Sequence, residues 1–275
     1  MMGINTVFLN HSFIAETQAS LLVTDLSIQR GYGIFDFFKT INGRPVFLDD
    51  HIARFYNSAK KMHLQISQTP AELKDIIAEL MQRNNLPDSG IKMTLTGGYS
   101  DDAYTLPAAQ NLVISQTALT IPQGLQAEGT TLVTYPYQRQ LSEMKTLDYS
   151  MAIWLQPFIK EKNANDVLYQ YNGFVRETPR ANFFIVTTEG EVVTAKNNIL
   201  AGVIRKNILN LEDTGFQLTE REFNLEELYN ASEAFITSTT KNILPVLKVD
   251  DKEIGGGKVG KITTQLSALL LKKIG

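Results

Sequence analysis

The stretch "EMKTLDYS", residues 143–150, carries Lys145 between a methionine and Thr146-Leu147. A lysine amine can attack a carbonyl carbon and later carry a proton, provided that other groups hold the reacting partner. Four other stretches offer such groups. "FVRETPRANFFIV" places Glu177 at the mouth of a hairpin. "ILAGVIRKNIL" puts Gly202, Val203 and Ile204 at a helix start, where backbone N–H groups without intrahelical acceptors favour a phosphate. "ITSTTKN" supplies Ser238, Thr239 and Thr240 as hydroxyl donors in a turn, and "DDHIARF" sets Arg54 one helical turn after His51. Each piece also has an ordinary reading: a solvated glutamate, a glycine relieving backbone strain, a polar turn, a charged helix face. Spacing alone points to a phosphate site and no further.

The elements that must position these groups follow from pattern. "NTVFLNHSFIAE" reads as short strands around an Asn-His-Ser turn. "SLLVTDLSIQRGYGIFDFFKTINGRPVFL" holds strand-like runs, with Asn42-Gly43 as a hairpin turn. From Asp50 to Leu64 the period becomes helical, with Ile52, Phe55 and Met62 on one face and Asp49 or Asp50 as cap. In "TPAELKDIIAELMQRNNL", Thr69 caps, Pro70 opens the helix and Glu72 completes a capping box. "GIKMTLTGGYS" and "NLVIS" read as strands. "SMAIWLQPFIKEKNA" reads as a helix kinked near Pro157, "DVLYQYNGFVRE" and "NFFIVTTEGEVVT" as hairpins, and "KITTQLSALLLKK" as a closing amphipathic helix. Without regular βαβ alternation, the expected class is α+β in two units. The expected division is residues 1–116, a connection over 117–124, and a C-terminal domain over 125–275 that carries Lys145.

Composition narrows the chemistry. The chain has 275 residues, 43% apolar, 20% charged, with a formal charge of −3. This is globular, and its charge gives no reason to expect nucleic acid or an anionic membrane as partner. The absence of cysteine excludes disulfides, thiolate metal sites and a cysteine nucleophile. His11, His51 and His63 are scattered, so no metal site is expected. "GGGKVG" is not a phosphate-binding P-loop, because no Ser or Thr follows the lysine. No signal peptide or membrane span is read, and a cytoplasmic enzyme is the expectation.

A lysine, a carboxylate, a helix start, a hydroxyl cluster and an arginine together are what pyridoxal phosphate requires. At these residues the chain resembles the fold-type IV pyridoxal-phosphate enzymes, or class IV aminotransferases. These include branched-chain and D-amino acid aminotransferases and aminodeoxychorismate lyases. The resemblance runs through "RGYGIFDFFKTINGRPVFLDDHIARF", "KTLDY", "GFVRETPRANFFIV", "NNILAGVIRKNIL", "FITSTTKNILPV" and "GGGKVG", in the family's order. It implies Lys145 as the Schiff-base lysine and Glu177 as partner of the pyridine nitrogen. Arg54, Val203, Ile204, Thr239 and Thr240 would hold the phosphate. Leu200 would pack on the ring, Asn182 would join the cofactor site, and Tyr149 would reach the ring hydroxyl, with Arg139 a weaker candidate for that oxygen. It also implies a homodimer with sites near the domain boundary.

The departures concern the substrate. Glu177 is followed by Thr178-Pro179-Arg180-Ala181 where relatives carry glycine and small hydroxyl residues, and the usual glutamate after Phe35 is Asp36. "GIKMTLTGGYS" has Lys92 but none of the arginines by which relatives bind the substrate carboxylate. Arg30 is the cation preferred for that task, because guanidinium matches a carboxylate at two points, and an ion pair of Arg30 with protein is the alternative. Tyr32, Phe35, Lys92, Tyr99 and Arg180 complete the expected substrate pocket. The expected reaction is transamination between a branched-chain L- or a D-amino acid and a 2-oxo acid such as 2-oxoglutarate. Elimination of pyruvate from aminodeoxychorismate is the nearest alternative, and a non-catalytic binding module on the same fold the more distant one.

Overall fold

The computed structural model describes residues 5–275; the first four residues of the stretch read for a signal peptide lie outside them. The chain forms two compact units. One comprises the residues up to Ile121 together with Met144–Asp148, the other Pro122–Glu143 and Tyr149–Gly275.

The first unit contains β1 (Thr6–Leu9), β2 (Ser12–Ala15), α1 (Leu26–Arg30), β3 (Gly33–Ile41), β4 (Arg44–Pro45), α2 (Leu48–Lys61), α3 (Pro70–Asn84), β5 (Ser89–Thr96) and β6 (Leu112–Ala118). Its antiparallel sheet has the order β2-β1-β6-β5-β3-β4. Asn42 and Gly43 take φ of 49° and 75°, the two left-handed residues of a tight hairpin turn. The α3 capping box forms as read, with Thr69 accepting from Glu72 N–H and Glu72 accepting from Thr69 N–H. Ile34, Phe38, Ile91 and Met93 meet Ile52 and Phe55 of α2 and Leu73, Ile77 and Leu80 of α3 in one core, each burial contributing roughly 1.5–3 kcal/mol.

The fold departs from these expectations at three places. The run after Thr24 contains α1, a five-residue helix that no periodicity announces; Asp25 caps it by accepting from Ser27 N–H, and Gly31 ends it at φ 68°. Helix α2 starts earlier than expected, after Phe47 at φ 52° with no side-chain cap, so Asp49 and Asp50 lie in its first turn, where they favour the positive helix end. The segment with Lys145, expected in the C-terminal domain, belongs to the first unit. Thr146 bridges Ile34, Phe35 N–H donates to Lys145 C=O at 2.9 Å, and Leu147 N–H donates to Gly33 C=O at 3.0 Å.

The second unit contains β7 (Thr130–Pro136), α4 (Ser150–Trp154), α5 (Gln156–Glu161), β8 (Asp166–Tyr171), β9 (Phe174–Val175), β10 (Asn182–Val186), β11 (Val192–Thr194), α6 (Val203–Leu209), β12 (Leu218–Glu220), α7 (Leu225–Tyr229), β13 (Glu233–Ser238), β14 (Asn242–Val249), β15 (Lys252–Glu253) and α8 (Lys261–Ile274). The sheet order is β12-β11-β10-β13-β14-β7-β8-β9, with β15 on β14. Pro157 breaks the expected helix into α4 and α5, because its ring and missing N–H interrupt the bonding ladder. Phe183, Ile185, Ile236 and Leu244 form the main core, and Leu155 packs with Val133, Val167 and Tyr169 in a second cluster. Among the described residues no helix is long and apolar enough to cross a membrane.

Candidate active site

In the first unit, Lys145 is anchored by its main chain on β3 and carries its ammonium 4.5 Å from the centre of the Phe35 ring. Lys92, on β5, brings a second ammonium 5.0 Å from the same ring. A ring face attracts cations, so Phe35 gathers both amines on one hub. The close fit of the lysine segment depends on Gly33, where a Cβ would stand 2.6 Å from Leu147 Cδ1 and 2.8 Å from Leu95 C=O.

Arg54 and His51 reach β3 from α2. Arg54 donates from Nε to Asp36 Oδ2 and from Nη2 to Asp36 Oδ1, both at 2.8 Å, and His51 Nδ1 lies 2.7 Å from Asp36 Oδ1. Asp36 is 0% exposed. Burial alone would raise its pKa, but the Arg54 charge and the bonds from Arg54 and His51 hold the carboxyl well below the usual carboxylate range. Burial lowers the His51 pKa against the pull of the Asp36 carboxylate, which raises it, and the charges of Arg54 and Lys145 add to the lowering, so the ring is neutral at neutral pH. A neutral ring bonded to a carboxylate must carry its proton on Nδ1.

In the second unit, Glu177 lies in the connection between β9 and β10, bridged to Asn182 at the start of β10, and is buried. Its Oε1 accepts from Arg139 Nε at 2.9 Å. Its Oε2 accepts from Leu200 N–H at 3.0 Å and from Asn182 Nδ2 at 3.4 Å. Asn182 also donates to Leu200 C=O at 2.8 Å. All three named partners are donors, which suits an ionised carboxylate. Gly202 is needed here for clearance, since its φ of −65° suits any residue but a Cβ would collide with Asn182 Oδ1. It precedes α6 without a side-chain cap, so the first-turn amides of Val203 and Ile204 have no acceptor inside the helix. Thr239 and Thr240 occupy the turn between β13 and β14, where Ser238 Oγ lies 3.5 Å from Thr240 Oγ1. Pairing of Asn182 with Thr237 puts this turn at the Glu177 end of the sheet.

Other expected site residues fall differently. Tyr149 is the residue before α4 and half-buried. Arg180 is 68% exposed and donates to Asp166 Oδ2 at 3.2 Å. Burial and the neighbouring Arg180 lower the pKa of Lys241. Arg30 ends α1 exposed, bonded to Gln29 C=O at 2.8 Å. Tyr32 spends its hydroxyl on Met62 C=O at 2.7 Å, and Tyr99 bridges Asp25. The sequence reading missed three partners. Arg139, expected at the ring hydroxyl, carries the charge that faces Glu177, Asp36 holds Arg54, and His51 bonds Asp36. The i, i+3 spacing of His51 and Arg54 on α2, facing an acidic residue at an inward strand position, was the available signal.

These residues fit pyridoxal 5'-phosphate. A buried carboxylate ringed by donors suits a protonated pyridine nitrogen. In the first unit, Asp36 occupies the Nε–Nη2 edge of Arg54 and leaves its remaining guanidinium N–H groups; in the second, the α6 amides are uncapped; each is a donor type that suits a phosphate. Comparisons with known proteins agree. The chain is 29% identical over 276 residues to the D-alanine aminotransferase of Bacillus licheniformis, covering 98% of this chain and 96% of that one. It is 29% identical over 269 residues to a putative branched-chain-amino-acid aminotransferase of Methanocaldococcus jannaschii, covering 94% and 93%. Its fold matches the branched-chain amino acid aminotransferase of Escherichia coli at a TM-score of 0.90 and 21% identity, over 99% of this chain and 95% of that one. The family model for amino-transferase class IV matches residues 33–249. The chain therefore belongs to the class IV aminotransferases, whose reaction is transamination with pyridoxal 5'-phosphate as cofactor.

Proposed function

We propose that this enzyme transfers the amino group of a D-amino acid of the alanine type to a 2-oxo acid such as 2-oxoglutarate. Buried Glu177, met by three donors, is the observation that carries the assigned roles. Lys145 Nζ would hold the cofactor, and it serves as the base that takes the proton from the α-carbon of the amino acid and as the acid that delivers a proton to the carbon left bearing the nitrogen. When bound, pyridoxal 5'-phosphate supplies the electron sink for that α-carbon. Glu177 keeps the pyridine nitrogen protonated, and Arg139 and Asn182 keep Glu177 in place. Arg54, the Val203 and Ile204 amides and the Thr239 and Thr240 hydroxyls would hold the phosphate, Leu200 would pack on the ring and Tyr149 would serve its hydroxyl. Arg30, Arg180 and Lys92 are the cations for substrate carboxylates, and Tyr32, Phe35 and Tyr99 line the pocket.

The D-alanine reading is supported by the similarity to D-alanine aminotransferases of Bacillus licheniformis and Staphylococcus haemolyticus. Branched-chain L-amino acids are the second reading, favoured by the equal identity to the Methanocaldococcus jannaschii protein. Half-reactions decide between them: the enzyme is mixed with single D- and L-amino acids and the cofactor spectrum is followed. Turnover of D-alanine without L-leucine supports the first reading, and the reverse overturns it. Release of pyruvate from aminodeoxychorismate with no amino transfer would overturn both. The working form proposed is a cytoplasmic homodimer. Exposed Leu22, Val23 and Ile28 in the first unit, and Ile153 and Trp154 in the second, support a second copy as partner. Sedimentation as a monomer would contradict it.

A further inference from the structure

Asp36 lies in the inward row Ile34–Asp36–Phe38 of β3, between two fully buried apolar side chains. An ion pair in such a layer is costly, and apolar residues there are often equally stable. Arg54 is itself only 10% exposed on its side chain. The grip of Asp36 is side-on, through Nε and Nη2, which fixes the plane of the guanidinium. A planar guanidinium held on that edge must present its Nη1 protons away from Asp36. Beside the two bonds from Arg54, the Phe37 N–H donates to Asp36 Oδ1 at 2.8 Å and His51 adds a further bond to the same oxygen, and being neutral it adds no competing positive charge. The 3.4 Å separation of Arg54 Nη2 and His51 Nδ1 is a contact of two donors, because the His51 Nδ1 proton already points at Asp36. The charge of Lys145 acts on His51, so this cluster stands in the neighbourhood of the reactive amine.

We infer that Asp36 and His51 are positioning residues that aim Arg54 at a phosphate, and that through them the chain selects the phosphorylated form of its cofactor. The inference rests on the reading of Arg54 as a phosphate contact. Asp36 fixes the plane and distance of the arginine from the strand. His51, together with the Phe37 N–H, keeps Asp36 from rotating.

The test is equilibrium binding of pyridoxal 5'-phosphate and of pyridoxal to the cofactor-free full chain. Asp36→Asn is expected to weaken the phosphorylated ligand by about 10- to 100-fold, the worth of a charge-assisted hydrogen bond. Pyridoxal affinity should stay within about threefold, since that ligand has no phosphate to lose. Asp36→Glu restores the ratio. His51→Asn, whose amide can replace the Nδ1 donor, keeps it better than His51→Phe, and this pair decides the matter if Asp36→Asn does not fold. Arg54→Gln serves as reference. A reference that loses the ratio while Asp36→Asn and His51→Phe keep it would sink the positioning role and leave the Arg54 assignment standing. A reference that keeps the ratio would overturn the Arg54 assignment, and the inference with it. Equal weakening of both ligands by Asp36→Asn would show a purely structural residue.

Discussion

Replacing Glu177 with Gln tests whether the second unit is organised around a buried negative charge. Oε1 accepts from Arg139 and Oε2 from Leu200 N–H and Asn182. Glutamine keeps the shape but offers one acceptor and one NH2 group. Whichever way the amide turns, its NH2 faces a donor. Turned toward Arg139 it breaks a mostly buried ion pair, which costs about 3 kcal/mol when one partner is left. Turned toward Leu200 it leaves a backbone N–H without its acceptor and costs about 1–3 kcal/mol. A loss of about 2–3 kcal/mol corresponds to a melting point lower by roughly 5–10 °C in a unit of this size. The assay is calorimetry of the cofactor-free protein, with exposed Glu161→Gln as control. Transamination should fall by about 100-fold or more, because the charge at the ring nitrogen is lost. A Glu177→Gln protein melting within about 1 °C of wild type would refute the reasoning.

Three further predictions concern the first unit. Lys145→Ala should abolish the bound-cofactor absorbance near the visible edge and transamination with it; retention of both would remove the lysine from its role. Gly33→Ala overpacks against Leu147 and Leu95 and should cost about 1–3 kcal/mol, seen as faster hydrogen exchange at the Leu147 amide. Lys39 is buried, and burial holds its pKa down to about 8. The unfolded chain then binds more protons between about pH 8 and 10.5, so stability should rise with pH across that window, and Lys39→Met should flatten the rise in urea titrations.

The most legible parts of the fold were those with local chemistry. The Thr69–Glu72 capping box, the Asn42-Gly43 and Asn172-Gly173 turns and the break at Pro157 each depend on a few adjacent residues, and each forms. Helix α1 was not legible, because five residues make too little pattern to outweigh neighbouring strand-like runs. Nor was the first turn of α2, whose entry is a left-handed phenylalanine that no cap rule favours. At the site, residue types marked Lys145, Glu177 and Arg54. The partners that hold two of them were hidden by distance along the chain: Asp36 lies on a strand across from Arg54, and Arg139 lies in a loop far before Glu177. Pairing of that kind is set by tertiary packing, which periodicity does not encode. The lysine segment looked like part of the domain around it because its ties to β3, main-chain bonds and the Phe35 contact, join residues more than a hundred positions apart.

That tie makes the first unit discontinuous in the gene, with residues 144–148 supplied after the second unit has begun. During synthesis, β3 gains the segment that caps its edge only once position 148 has left the ribosome. A protein truncated near residue 121 would be a unit missing one of its own pieces. An expression boundary drawn there would produce an open strand edge with a tendency to pair with other chains, and a boundary that respects the unit would have to graft the short lysine peptide back on.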